Sequence, residues 1–275
     1  MLRIGHCQAV CHAGEFERNL ATVCAGLAEA ADRGVEILSF PESFLAGYWR
    51  DVDKCRANAW AVDSPQTRRL LAATREFPSM YIVGINERRG DDLYDTALVV
   101  ERGELVGTYS KCWPAMPYFK ASRETPVFQK NGVTFGVVIC ADGGFIDPCR
   151  ILALKGARVI FAPHYNYIGA ERLLDHYVVV RHDHVARAVE NGVFFVRANN
   201  VEEGFQPSLE LPGVGYGDSY ILDPNGQVIA AANLHQPGII QADLDFDRYY
   251  YAARERNRMA AGAFWEQLRD LTAAD

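Results

Sequence analysis

No stretch of this 275-residue sequence is apolar for the roughly 20 residues that a membrane-crossing helix needs, so a spanning protein is not expected. Clusters of Lys and Arg interleaved with aromatics are also missing. With 28 basic against 35 acidic residues the net charge is −7, and no nucleic-acid partner is expected. The first residues, Met1-Leu2-Arg3-Ile4-Gly5-His6, lack the apolar core of a secretory signal, which sets the expectation of a cytoplasmic protein. The seven cysteines (7, 11, 24, 55, 112, 140 and 149) are odd in number and lack paired metal-ligand spacing. They suit reduced thiols, and six of them read as small buried hydrophobes. No metal or cofactor is expected. Neither a low-complexity linker nor an internal repeat divides the chain. Residues 1–275 therefore read as a single domain, with a C-terminal extension from about 246.

What is present is a regular alternation of strand and helix patterns. Leu2–Val10 predicts a first strand, and Phe16–Asp32 carries apolar residues at helical spacing with a stop at Gly34. Val35–Phe40, Met80–Ile85, Val133–Cys140, Arg158–Pro163 and Val193–Asn199 predict buried strands. Helices are predicted at Pro65–Phe77, from Asp147-Pro148 to Lys155, and at His176–Asn191. Tyr94–Glu101 and Glu104–Tyr109 flank an Arg102-Gly103 turn, and Asp223-Pro224-Asn225-Gly226 predicts another. Gly204–Gly217, rich in Gly and Pro, predicts a long loop. This alternation implies an α/β layered fold.

Three reactive side chains follow strand-like runs. Cys140 closes Val137-Val138-Ile139 and precedes Gly143-Gly144, where the chain can turn and backbone N–H groups can face an oxyanion. Glu42 follows Ile37-Leu38-Ser39-Phe40-Pro41, and Lys111 follows Tyr109-Ser110. Taken singly, Cys140 reads as a structural thiol, and Glu42 and Lys111 as solvated loop residues. His182 and His184 are two apart on a helix and point to different faces, which disfavours a metal pair.

Together the three stand in motifs that resemble those of the carbon–nitrogen hydrolase (nitrilase) superfamily. Phe40-Pro41-Glu42-Ser43-Phe44-Leu45-Ala46-Gly47-Tyr48 is similar to its glutamate segment. Gly107-Thr108-Tyr109-Ser110-Lys111 is similar to its lysine segment, and Gly136-Val137-Val138-Ile139-Cys140-Ala141-Asp142 to its cysteine segment. Gln8, Lys155–Ile160, Arg187–Asn191 and Gly217–Gly226 extend the resemblance. It implies a four-layer αββα sandwich of the nitrilase type, commonly dimeric, so a homodimer or higher homo-oligomer is expected. Phe264, Trp265 and the Tyr249–Tyr251 cluster either cover a partner subunit or pack on their own domain. The resemblance further implies Cys140 as nucleophile, Glu42 as base and acid, and Lys111 with the Ala141 N–H as oxyanion donors.

The motifs also bear on substrate. Lys111, Pro114 and Pro117 keep an amidase-like spacing, but Phe119 stands where a second glutamate is usual; Glu124 is the candidate replacement, supporting Lys111. Cys140-Ala141-Asp142 falls on the amide side of the family. Pro163-His164-Tyr165-Asn166 and Asn200-Val201-Glu202-Glu203-Gly204 resemble segments of N-carbamoyl-amino-acid hydrolases. Those enzymes hold a carboxylate with arginines after the nucleophile. Here Gly143-Gly144 stand instead, and Arg197 either takes that role or is an ordinary Arg paired with a Glu. Tyr48, His164, Asn166 and Arg197 are the expected substrate-side residues, and Glu202-Glu203 reads as a solvated loop tip. The expected reaction is hydrolysis of a small amide or carbamoyl (ureido) substrate through a thioester, releasing ammonia. The alternatives are a nitrilase and a catalytically inactive nitrilase-fold binding or assembly protein.

Overall fold

Alternate residues along the central strands face opposite cores, and that alternation sets the layering. Ile160 and Ala162 pack with helical residues on one side, while Val159 and Phe161 meet the other sheet. Tyr81 and Val83 likewise face helices, and Met80 and Ile82 face inward. The computed structural model of the chain describes residues 1–255. It contains two six-stranded mixed sheets and a separate two-stranded hairpin.

The first sheet comprises β1 (Leu2–Gln8), β2 (Ile37–Ser39), β3 (Met80–Arg89), β4 (Asp92–Glu101), β5 (Glu104–Ser110) and β14 (Gly238–Leu244), in the order β14-β1-β2-β3-β4-β5. The second comprises β6 (Val127–Lys130), β7 (Val133–Val137), β8 (Val159–Pro163), β9 (Phe194–Ala198), β12 (Tyr220–Leu222) and β13 (Val228–Ala231), in the order β13-β12-β9-β8-β7-β6. Helices α1 (Phe16–Asp32) and α3 (Pro65–Thr74) cover the outer face of the first through Leu20, Val23, Leu27 and Leu70. Helices α4 (Ile146–Leu154) and α5 (Leu173–Asn191) cover the second through Cys149, Leu152 and Ala188. Short α2 (Val52–Ala57) is capped by the Asp51 side chain. The result is the expected αββα sandwich.

Several expected elements shift for local reasons. The strand predicted to run to Cys140 ends at Val137, because Cys140 takes a positive φ of 48° and opens a 3-10 turn, Cys140–Gly144. Helix α4 starts one residue before Asp147, which with Pro148 lies inside the first turn, where a missing N–H costs nothing. The predicted loop at Gly204–Gly217 is largely a hairpin, β10 (Val201–Gln206) with β11 (Leu211–Tyr216). Gly213 there reflects close packing, since a Cβ would lie 2.7 Å from the Tyr167 ring. Strands β6 and β14 were not expected. Of the C-terminal aromatics, Tyr250 packs on Phe194 while Tyr249 and Tyr251 are exposed. Phe264 and Trp265 lie outside the described residues.

Candidate active site

The two sheets contribute different halves of one cluster. Glu42 follows β2 on the first sheet and is 1% exposed. The turn carrying it needs Ser43 at φ 50°, and only a glycine at 84 allows the approach, since a Cβ there would lie 2.2 Å from the Ser43 nitrogen. Ser43 Oγ donates to Asn86 Oδ1 at 2.9 Å, and Asn86 Nδ2 donates to Gly47 O, pinning the loop. Lys111 follows β5 and its N–H still pairs with Asp95 O across the sheet. Its buried Nζ donates to Glu42 Oε1 at 2.5 Å and to Asp95 Oδ2 at 3.3 Å.

The second sheet presents the thiol. The Val138 N–H extends the β7 ladder to Phe161 O, and Cys140 then turns in the left-handed region, a conformation that costs a non-glycine residue about 1–3 kcal/mol. Asp142 holds this turn. Its carboxylate accepts from Ile139 N (3.0 Å), Trp113 N (2.7 Å) and Tyr109 OH (2.7 Å), so it also ties the cysteine turn to the segment after Lys111. The N–H groups of Cys140 and Ala141 open the turn and have no partner within it. Asn166, beyond β8, donates from Nδ2 to Cys140 Sγ at 3.6 Å. Glu42 Oε2 accepts from the Tyr165 N–H at 2.7 Å, which crosslinks the two halves.

The electrostatics follow from burial. Burial first, then the Glu42 charge, pushes the Cys140 thiol up to about 12, against the pull of Lys111. Burial would lower Lys111, but Glu42 leads a set of negative partners that hold its ammonium well above the usual range. Burial and the Glu42 charge raise Asp95, which favours its protonated form. The arrangement is a protonated thiol facing a carboxylate–ammonium pair from which water is largely excluded. Such a site can move a proton from sulfur to carboxylate while a fixed cation meets developing negative charge.

Tyr48 is buried near this cluster and stacks on Tyr165, ring centroids 5.2 Å apart. Three expectations need correction. Glu124 is exposed, and the second carboxylate at Lys111 is Asp95, delivered by the neighbouring strand rather than by a downstream motif. Phe119 instead packs in a small cluster with Leu93 and Cys55. Arg197 is fully buried, and its terminal nitrogens are spent on Gly217 O, Asp218 O, Tyr216 OH and Asn166 Oδ1, which leaves no fork for a substrate carboxylate. Its nearest acid is Asp218, 3.9 Å away, not a Glu. Because guanidinium only donates, Arg197 fixes the Asn166 amide with its oxygen inward and Nδ2 toward the thiol. His164 is a packing residue: its Nδ1 pairs with Ala162 O at 2.6 Å and its ring meets His184 edge-on. His182 is exposed and His184 buried, so the two do face apart.

Sequence reasoning missed Asp95, and the structural part played by Asp142 and Tyr165. A signal for Asp95 existed: an Asp inside a strand pattern is disfavoured unless something holds it.

The carbon-nitrogen hydrolase family profile matches residues 3–254. The chain belongs to the carbon-nitrogen hydrolase family. This carbon-nitrogen hydrolase is 30% identical over 247 residues to a glutamine-dependent NAD(+) synthetase of Thermotoga maritima, covering 85% of this chain and 40% of that one. It thus spans well under half the length of that relative. It is 28% identical over 252 residues to a nitrilase of Pyrococcus abyssi, covering 89% and 90% of the two chains. Among solved structures, an amidase from Nesterenkonia sp. AN1 superposes with a TM-score of 0.76 at 22% identity, covering 98% of this chain and 96% of that one, and so shares the fold.

Proposed function

We propose that this carbon-nitrogen hydrolase cleaves a small carboxamide or ureido substrate through a thioester on Cys140, releasing ammonia. The observation that carries the reading is the buried Glu42–Lys111 pair at the Cys140 thiol, with Asn166 Nδ2 3.6 Å from the sulfur. Because the thiol stays protonated, proton transfer must accompany attack: Glu42 takes the Sγ proton as sulfur bonds to the carbonyl carbon. Lys111 Nζ and the Ala141 N–H meet the oxyanion, each such donor being worth about 3–4 kcal/mol. Collapse breaks the C–N bond, and Glu42 gives its proton to the departing ammonia. Glu42 then deprotonates a water that attacks the thioester. The second collapse expels the sulfur, which recovers that proton, and the acid leaves. Tyr48 and Asn166 flank the substrate, and Arg197 positions Asn166.

A glutamate-to-glutamine mutant of the amidase of like fold carries the acetamide moiety of fluoroacetamide added covalently at its active-site cysteine, which supports a nucleophilic role for Cys140. A catalytically inactive binding module is disfavoured physically, because a buried ion pair is costly to keep when nothing uses it. Ammonia release from a panel of amides, ureido compounds and nitriles, with wild type and Cys140→Ser, is the test. Turnover of amides or ureido compounds by wild type alone is expected. Equal activity in both proteins would remove Cys140 from the mechanism. Nitrile turnover above amide turnover would favour the activity named in the Pyrococcus relative.

We also propose a homo-oligomer, supported by the exposed Leu174, Val178 and Val179 on α5, with sedimentation as the check. All seven cysteines are free, which supports a reducing, cytoplasmic location. Among the described residues, no helix is long and apolar enough to cross a membrane.

A further inference from the structure

A polar cavity of about 240 Å³ opens where the chain leaves β1 and meets the β10–β11 hairpin. Cys11, His12, Glu15, Trp49, Glu202 and Ser208 are in its wall. Glu202 is not the solvated loop tip its sequence suggests: it is 8% exposed, whereas Glu203 beside it is exposed and pairs with His235. Asn200 Nδ2 donates to Glu202 Oε1 at 2.9 Å, but among the described residues no Lys or Arg forms an ion pair with it. Lys54 is engaged by Glu210, and Arg50, whose N–H reaches Ser208 O, is exposed. Ser208 is 2% exposed, lines the same cavity, and its Oγ has no hydrogen-bond partner among the described residues. A buried carboxyl without a cation and a buried hydroxyl without a partner, on one small cavity, are both unfavourable unless a ligand completes them.

We propose that this cavity binds a primary ammonium group, with Glu202 as its counter-charge, Ser208 Oγ as a further acceptor and the Trp49 ring as an apolar wall. A metal ion fits less well, since among the described residues no group of three His, Cys, Asp or Glu is placed to hold one. The charge state of Glu202 agrees. Burial raises its carboxyl to about 7, although Tyr165 and Asn200 favour the ionised form. The other groups at the cavity give no compensating positive charge: Cys11 is raised by burial and by Glu202, His12 is lowered by burial, and Glu15 is acidic. A bound ammonium would favour the carboxylate and release a proton on binding when the pH is below about 7.

The cavity adjoins the catalytic cluster through one residue. The Tyr165 side chain is near enough to Glu202 to favour its ionised form, although its hydroxyl has no hydrogen-bond partner among the described residues, while its own N–H is bonded to Glu42 and its ring stacks on Tyr48. The ammonium therefore belongs either to the far end of an amide substrate or to a free amine, and the recognising chemistry is the same.

The probe is n-butylammonium, with n-butanol as its uncharged counterpart, titrated calorimetrically into wild type, Glu202→Gln and Ser208→Ala, with thermal melts confirming that each variant is folded. Butylammonium is expected to bind wild type, about tenfold more tightly at pH 8 than at pH 6, and about tenfold more weakly to Glu202→Gln at pH 8. Butanol binding with equal affinity, or unchanged butylammonium binding in folded Glu202→Gln, overturns the proposal. A second arm, which rests on the amidase reading, compares 4-aminobutyramide with butyramide. If the ammonium is the substrate's end, Glu202→Gln lowers kcat/KM for the amino-amide relative to butyramide by about tenfold. If it is a free amine, that ratio is unmoved while the butylammonium titration still responds. If neither amide is turned over, the substrate-end arm is overturned for these amides and the butylammonium titration decides the cavity, while the amide, ureido and nitrile panel decides the function.

Discussion

Replacing Glu42 by Gln separates two effects of one carboxylate that ordinarily run together. The carboxylate sits 2.5 Å from Lys111 and is the chief charge holding the Cys140 thiol up, second only to burial. Gln keeps the shape and can still accept from the Tyr165 N–H. Removing the charge loses the base, which is worth about 10²- to 10⁴-fold in rate, or about 3–5 kcal/mol of barrier. The same change lets the thiol pKa fall from about 12, since the like charge is gone and Lys111 remains. Stability changes less, by about 1–3 kcal/mol, because Asp95, freed of its charged neighbour, can ionise and pair with Lys111 at its 3.3 Å contact. Amide turnover should therefore drop steeply while modification of Cys140 by a small neutral thiosulfonate at about pH 8.5 becomes faster. Peptide mapping assigns the modified residue among the seven thiols. Turnover kept within about tenfold of wild type would refute the base role. Thiol modification slowed in parallel with turnover would refute the electrostatic account.

Lys111→Met strands Glu42 and Asp95 in a buried site without a cation, so unfolding stability should fall by about 3–5 kcal/mol and turnover by at least 10²-fold; calorimetry showing an unchanged Tm contradicts this. Asp142→Asn turns part of a four-donor acceptor into a donor facing Trp113 N, Ile139 N and Tyr109 OH. It should lower stability by about 2–3 kcal/mol and reduce kcat more than it raises KM, and denaturant titration with steady-state kinetics checks both. The folded Glu202 carboxyl titrates near 7, above its ordinary value of 4.5, so the folded state holds that proton more firmly than the unfolded chain. Its contribution is thus most favourable at low pH and is lost as pH rises through about 7. Relative to wild type, Glu202→Gln should gain about 2–3 kcal/mol between pH 5 and 8, measured by urea unfolding at both.

How much of this was legible beforehand depended on whether the information is local. Helix α1 follows the predicted bounds because its apolar spacing and its Gly34 stop act within one turn of the chain. The turn at Asp223 to Gly226 is equally local, with Asp223 Oδ1 accepting from Asn225 N and Gln227 N. Glu42, Lys111 and Cys140 were legible because each sits in a contiguous motif. Asp95 was not, because it reaches Lys111 across the β4–β5 pairing from 16 residues upstream. Strand β14 was hidden for the same reason: it pairs with β1 from the far end of the chain. Arg197 and Glu202 were misjudged because what each side chain faces is decided by the fold around it, not by its neighbours in sequence.

The crosslink between Glu42 and the Tyr165 N–H marks a division of labour along the chain. Glu42, Asp95 and Lys111 all precede residue 112, whereas the thiol, its amide donor and the guanidinium that orients it all follow residue 139. Neither half holds a reactive centre by itself. The cluster is complete only where the inward faces carrying Ile82, Val99, Phe135 and Phe161 meet, because that packing brings Glu42 and Lys111 to the thiol. On the proposed mechanism, a thiol separated from the other sheet would lack both its base and its oxyanion-binding ammonium.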